Sequence, residues 1–408
     1  MPRFPRRFPR FGAALLALGL ALAVSPARAA GGPDFDIAFI GSLSGDDAYM
    51  AQDSLDGFRL GVKHLGGHLG GADFNLVVED DHHDPERDRT LVEKMQADLH
   101  PQAILLASGR RATAAVAPLA EAGHTFLLLL NDPDPALAGK DCGSYLFSLL
   151  APRADLDALA GQYLGDQGFK RVAVVVPAAD PARGDPFRAA FHGEAPPFTA
   201  KRGEMNFRPL LKAIAAAKAD AVYLRLDGGM AVNFIRAYGE SGLKAKLPLF
   251  GPGDSVNQMV LAAAMPASLG VQSIAAWSED GDSPANRRLM ADFETEYGRL
   301  PTYYAALGYD AAMMLDAAVR GADKKFNSDE AMRIAMRRAD YPLSRAGLHF
   351  DYNQFPLQDY VLRQAGEDSR GRATNETRGV VAHDPRSGQA EACPLHWTLP
   401  PLPVAKKP

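Results

Sequence analysis

Two arginines stand side by side at Arg110 and Arg111, directly behind Ser108-Gly109. A guanidinium is planar and can bind both oxygens of a carboxylate at once, so this pair points to recognition of a small organic anion. Other polar residues follow apolar runs in the same way: Asn131 and Asp132, Asp227, Asp254 and Trp277. Asp132, Asp227 and Asp254 would repel a nearby carboxylate and are suited to accept hydrogen bonds from a hydroxyl or an ammonium. Trp277, with Tyr49 and Tyr304, offers ring surface for an apolar or aromatic body. Exposed arginine is the norm on protein surfaces, so Arg110 and Arg111 do not by themselves make a site.

Signals of catalysis are poor by comparison. The chain has no G-x-S-x-G elbow, no H-E-x-x-H and no Walker loop, and Gly66 to Gly71 reads as a turn rather than a phosphate cradle. Glu79-Asp80-Asp81-His82-His83-Asp84 has the composition of a metal cluster, but neighbours at a strand end point in opposite directions, so few could converge. A solvated acidic loop with a helix cap is the expectation there. Asn375-Glu376-Thr377 matches a glycosylation sequon and carries little weight. The chain therefore reads as a binder, not an enzyme, with neither a cofactor nor a metal.

The elements that must position these residues follow from periodicity. Ile37 to Ile40, Asn75 to Glu79, Ala103 to Ala107 and Thr125 to Leu130 read as buried strands. Leu55, Phe58, Val62 and Leu65 recur at helical spacing, as do Leu91, Met95 and Leu99; Asp84-Pro85 is a helix start. A second set of units follows a crossover near Leu149 to Arg153. Its strands are Arg171 to Val176, Ala221 to Leu226, Leu247 to Gly251 and Val271 to Ala276. Pro284 to Tyr297, Tyr304 to Val319 and Asp329 to Arg338 read as helices, and Leu348 to Asp351 and Leu357 to Arg363 as late strands. Alternating strands and helices make parallel sheets covered on both faces, whose ligands collect beyond the carboxyl ends of the strands. The loops there are 42–50, 108–111, 131–134, 227–230, 251–254 and 277–280. Each precedes a helix whose N-terminus offers free N–H groups to an anion.

The N-terminus reads as an export leader over residues 1–29. Arg3, Arg6, Arg7 and Arg10 are basic, Gly12 to Val24 is apolar but too short to span a bilayer, and Ala27-Arg28-Ala29 is a cleavage site. No cysteine sits at the seam, which argues against a lipid anchor. Loss of the five leader arginines lowers the net charge from −5 to −10, which argues against a nucleic-acid partner. Cys142 and Cys393 are the only cysteines. In an oxidising compartment a disulfide between them is the expectation, two separate thiols the alternative. The remaining residues, about 380, suit two domains.

The segment IAFIGSLSGDDAYMAQDSLDGFRLGV, followed by VVEDDHHDPERDRTLVEKM and AVAPLAEAG, resembles the opening of the type I periplasmic substrate-binding proteins of ABC transporters, the group that includes the leucine/isoleucine/valine-binding proteins. PLLKAIAAAKADAVYL, FIRAYGESGL and TYYAALGYDAAMMLDAAV extend the resemblance to nearly the whole mature chain. It implies an α/β fold of two doubly wound parallel-sheet lobes joined by three crossovers, with ligand trapped between them. Lobe 1 is then 34–149 with 281–346, lobe 2 is 151–279 with 347–364, and 365–408 is an extended tail. It also implies a monomer in the periplasm that delivers its ligand to an inner-membrane permease.

Departures from the family pattern bear on the ligand. Amino-acid binders carry small hydroxyl residues after the third strand, where this chain has Ser108-Gly109-Arg110-Arg111-Ala112, and a small residue with Thr after the fourth, where it has Asn131-Asp132-Pro133. The closing segment HFDYNQFPLQDYVLR with GRATNETRGVV looks like the branch associated with aromatic carboxylic acids. An aromatic acid is therefore the favoured ligand. A branched-chain or other amino acid remains the alternative, as does a sensing module reporting to a receptor.

Overall fold

The computed structural model describes residues 34–45, 47–322 and 328–395. The leader read at 1–29 and the end of the tail lie outside the described residues.

The chain opens with strictly alternating units: β1 (Phe35–Gly41), α1 (Ala48–His64), β2 (Phe74–Asp80), α2 (Pro85–Asp98), β3 (Ala103–Ala107), α3 (Arg110–Ala122), β4 (Phe126–Leu129) and β5 (Leu146–Ser148). The five strands form one parallel sheet in the order β2-β1-β3-β4-β5. β3 and β4 are buried throughout, as strands covered on both faces must be. β2 is half-buried along its length because it is an edge, not the interior strand that its apolar run suggests. Asp84 caps α2 by accepting a 3.1 Å hydrogen bond from the Glu86 amide, with Pro85 in the first turn.

The second sheet is built from β6 (Val172–Pro177), α5 (Asp185–Ala190), β7 (Pro197–Ala200), α6 (Arg208–Ala216), β8 (Ala221–Leu224), α7 (Gly228–Glu240), β9 (Leu249–Pro252), α8 (Gln258–Ala263) and β10 (Gln272–Ala275), entered through α4 (Arg153–Asp166). Three helices follow: α9 (Pro284–Tyr297), α10 (Tyr303–Gly321) and α11 (Asp329–Arg338). Their apolar faces share one core with β1 and β3, including Leu289, Phe293, Leu307, Met314 and Met336. The chain ends with β11 (His349–Phe350), β12 (Pro356–Leu357), β13 (Tyr360–Glu367) and β14 (Ala373–Ala382). The sheet order is β14-β13-β10-β9-β8-β6-β7, parallel from β7 to β10 and antiparallel at β13 and β14. The chain thus passes between the sheets three times, after β5, after β10 and before β13. This is the two-lobed α/β architecture expected.

α1 and α10 meet backbone to backbone. A Cβ on Gly57 would lie 2.0 Å from the Ala305 carbonyl oxygen, and one on Gly308 would lie 1.8 Å from the Ser54 carbonyl oxygen. Only glycine permits that approach. Beside it the buried Asp53 accepts from the Thr302 amide at 3.1 Å and pairs with Arg299.

Two boundaries differ from the sequence reading. Residues 347–357, assigned above to lobe 2, pack with lobe 1. Phe350 meets Phe147 edge-on at 5.3 Å, Phe355 is in the first sheet's core, and the Gln354 carbonyl accepts from the Ser148 amide at 3.1 Å. The tail read from 365 contains β14, an edge strand paired with β13. An edge strand faces solvent on one side and needs no apolar run, so its polar sequence did not announce it. The tail is pinned as expected: Cys142 and Cys393 form a disulfide with Cα atoms 5.7 Å apart.

Candidate functional site

The carboxyl ends of both parallel sheets open onto one cavity of about 620 Å³. Its first-lobe wall comes from the turns after β1, β2, β3 and β4; its second-lobe wall comes from the start of α4, the turn after β6 and the turn after β8. Of the residues singled out from sequence, Ser108, Arg110, Arg111, Asn131, Asp132 and Asp227 line it.

Arg110 and Arg111 are the first two residues of α3. Both are exposed on the cavity wall, and neither makes an ion pair with a described residue. Gly109 at the N-cap supplies no side-chain hydrogen bond to the helix. The positive end of α3 and two guanidinium groups therefore face the same space.

Ser108, by contrast, is buried and already engaged. Its Oγ lies against Oδ2 of Asp81 and 3.0 Å from Oδ1 of Asp88. Asp81 also accepts from the Ser42 hydroxyl at 3.1 Å and the His83 amide at 2.7 Å. The run from Glu79 to Asp84 thus contributes a buried carboxylate to the cavity wall and a cap to α2; among the described residues no group of three or more His, Cys, Asp or Glu is placed to hold a metal.

Arg153 dominates the opposite wall, and the sequence reading missed it. Its Nε stands 2.7 Å from Asp254 Oδ2 and 3.9 Å from Asp132 Oδ2, and its Nη1 is 3.6 Å from Asp227 Oδ2. Its Nη2 donates to the Tyr304 hydroxyl at 3.0 Å and to Asn131 Oδ1 at 3.4 Å, while its amide donates to Asp132 Oδ1 at 3.1 Å. Burial opposes the charge, but the surrounding carboxylates hold Arg153 firmly protonated. Asp132 and Tyr304 belong to the first lobe and Asp227 and Asp254 to the second, so one guanidinium joins both.

A second layer fixes Asp227. Arg183 Nη1 pairs with it at 2.7 Å, Ser255 Oγ donates to it at 2.8 Å, and Arg225 Nη1 lies at 3.5 Å. Burial would push its carboxyl up, yet Arg183, Arg153 and Arg225 together hold it well below the usual carboxylate range. Arg225 is held in turn by Asp157, to which its Nε donates at 2.8 Å. Asp254 is 6% exposed and neither of its oxygens receives an aligned hydrogen bond, although Arg153 stands beside it. It is a charged acceptor with unused capacity.

Four expected ligand residues do not line the cavity. Trp277 is buried at the second crossover, donating from Nε1 to Asn286 at 2.7 Å, and packs in the first-lobe core rather than in the cavity. Tyr49 and Tyr304 meet edge-on at 6.4 Å, and the Tyr49 hydroxyl accepts from Asn257 Nδ2 at 2.9 Å. They join the lobes beside the cavity without lining it. Asp254 acts behind Arg153. Signals for the missed residues were present: Arg183 lies in the turn after β6, a strand-end loop like the others, and Arg225 precedes Asp227 by two and shares its side of the chain. Arg153 follows β5, a strand of three residues too short to recognise.

The cavity can therefore hold a small polar molecule with an anionic end at α3 and donor groups toward the aspartates. A family profile described as periplasmic binding protein matches residues 35–370. Among solved structures, a solute-binding protein of an ABC transporter from R. palustris, in complex with benzoate, superposes with a TM-score of 0.78 at 24% identity, over 88% of this chain and 99% of its own. One from Rhodopseudomonas palustris BisB5, in complex with 3,4-dihydroxybenzoic acid, gives 0.75 at 21% identity, over 87% and 98%. A leucine-binding protein from Thermotoga maritima gives 0.72 at 17%, over 85% and 98%. At these identities the likeness is one of fold. No curated protein matches the sequence significantly.

Proposed function

We propose that this chain, which belongs to the periplasmic binding protein family, is the solute-capturing component of an ABC importer for a small aromatic carboxylate. The observation that carries the ligand class is the pair Arg110 and Arg111, free of ion pairs with described residues and exposed at the N-terminus of α3 on the cavity wall. A carboxylate placed there gains charge-assisted hydrogen bonds and the helix-end potential together. Met50, Ala51, Ala107 and Ala112 supply apolar wall for the ligand body. The far end of the cavity, with Asp132 of the first lobe and Asp227 of the second, suits ring hydroxyls. Structural neighbours in complex with benzoate and with 3,4-dihydroxybenzoic acid support this class.

The same far end also suits an ammonium, so an amino acid is the competing ligand. Calorimetry with benzoate, 4-hydroxybenzoate, 3,4-dihydroxybenzoate, leucine and valine separates the two. Binding of a benzoate with no binding of either amino acid is expected; tight leucine or valine binding with no aromatic acid bound overturns the aromatic reading. The protein works as a periplasmic monomer behind a leader cleaved after Ala29 and hands its ligand to an inner-membrane permease. N-terminal sequencing of the exported protein should begin at Ala30.

A further inference from the structure

The contacts around Ser108 contain more hydrogen bonds than its single hydroxyl hydrogen can make. Its Oγ touches a carboxylate oxygen of Asp81 and one of Asp88. A serine hydroxyl donates once, and its second polar contact must be as acceptor. One of the two carboxyls therefore supplies a hydrogen. Asp81 is the acceptor, because the His83 amide and the Ser42 hydroxyl already donate to it. Asp88 has Ser108 as its side-chain partner, is 1% exposed, and sits on the first helical turn of α2 facing Asp81.

We propose that Asp88 carries a proton in the native protein and donates it through the Ser108 hydroxyl to Asp81, so that the arginine-bearing wall of the cleft favours an anion only while that proton is held. Ser42, Asp81, Asp88 and Ser108 all line the cavity beside Arg110 and Arg111. With Asp88 neutral, the buried cluster around Ser108 carries the charge of Asp81 alone beside the two guanidinium groups. With Asp88 ionised, a second buried carboxylate cancels the second arginine.

The surrounding charges favour the protonated form. Burial, followed by the negative charge of Asp81, pushes Asp88 up to about 8, with Asp84 at the cap of α2 adding to the rise. Asp47 and Asp134 line the same cavity and act in the same sense; Arg110, Arg111 and any charge on His83 act against it. Asp88 is thus a positioning residue that sets the charge of the wall. Below about pH 8 it keeps its proton, and above that it releases the proton to solvent. Binding an anion then requires the proton to be taken up again.

The ligand half of this inference rests on the function proposed above, so two measurements are paired. In the mature, ligand-free protein, carbon-13 NMR of the aspartate carboxyls should show a resonance, absent from Asp88→Asn, with its midpoint near about 8. A midpoint near about 4 overturns the proposal. Calorimetry with benzoate should give a dissociation constant about ten-fold or more higher at about pH 9.5 than at about pH 6.5 in the wild type. In Asp88→Asn, whose amide donates to Ser108 at every pH, that change should vanish. Equal wild-type affinity at the two pH values overturns the linkage without any variant. If benzoate binds at neither pH, the ligand reading fails on its own, and the NMR midpoint still decides whether Asp88 holds the proton.

Discussion

Nε of Arg153 lies 2.7 Å from Oδ2 of Asp254, while the same guanidinium donates to the Tyr304 hydroxyl in the opposite lobe at 3.0 Å. The ion pair is the inner end of a chain of charges, Asp132–Arg153–Asp227–Arg183, with Arg225 and Asp157 behind it. Arg153 is therefore an electrostatic link between the lobes, beside the Asn257–Tyr49 hydrogen bond and the Arg372–Glu294 ion pair.

Arg153→Ala should leave Asp132, Asp227 and Asp254 facing one another with only Arg183 and Arg225 to compensate. Removing one partner from a largely buried ion-pair network costs about 3 kcal/mol. Denaturant unfolding should show that loss, and small-angle scattering should show a larger radius of gyration as the lobes separate. Unchanged stability and dimensions would mean that the lobes are held by other contacts, such as Asn257 to Tyr49.

Arg110→Ala with Arg111→Ala should separate binding from folding. Both side chains are exposed, so unfolding stability should move by no more than about 0.5 kcal/mol. Loss of a charge-assisted carboxylate contact should weaken benzoate binding at least about ten-fold. Benzoate affinity equal to wild type would remove the arginine pair from the site.

Cys142 and Cys393 close a loop with a sequence separation of 251 residues. Cys142→Ser with Cys393→Ser should cost about 2 to 5 kcal/mol in the oxidised protein. Titration of the denatured, unreduced wild type should find no free thiol; two reactive thiols would contradict the bond.

Gly308→Ala places a methyl where the Ser54 carbonyl oxygen stands, 1.8 Å from the new Cβ. Two packed backbones must part, and overpacking of this kind costs about 1 to 3 kcal/mol or more. Thermal unfolding should register it. Gly66→Ala, where nothing lies within 4 Å of the new Cβ but φ is +81°, should act only through local backbone strain, with α1 and α10 unmoved.

By itself the sequence determined the alternation of strands and helices, because buried parallel strands must be apolar and helices must bury a stripe. Pro284–Tyr297 and Asp329–Arg338 were legible to the residue for that reason. It also pointed to four of the loops that wall the cavity, 42–50, 108–111, 131–134 and 227–230, since strand ends in a parallel sheet face one way, but not to the turns after β2 and β6 or the start of α4. What tertiary structure decided is which polar side chains meet there. Arg153 and Tyr304 are 151 positions apart and Ser108 and Asp81 are 27 apart, and no local period relates them. Trp277 shows the converse: its type suggested a ligand contact, but the crossover turns it into the first-lobe core, where Asn286 takes its N–H. Periodicity reports which face of an element is buried; which residue another element presents to that face depends on how the two lobes are brought together.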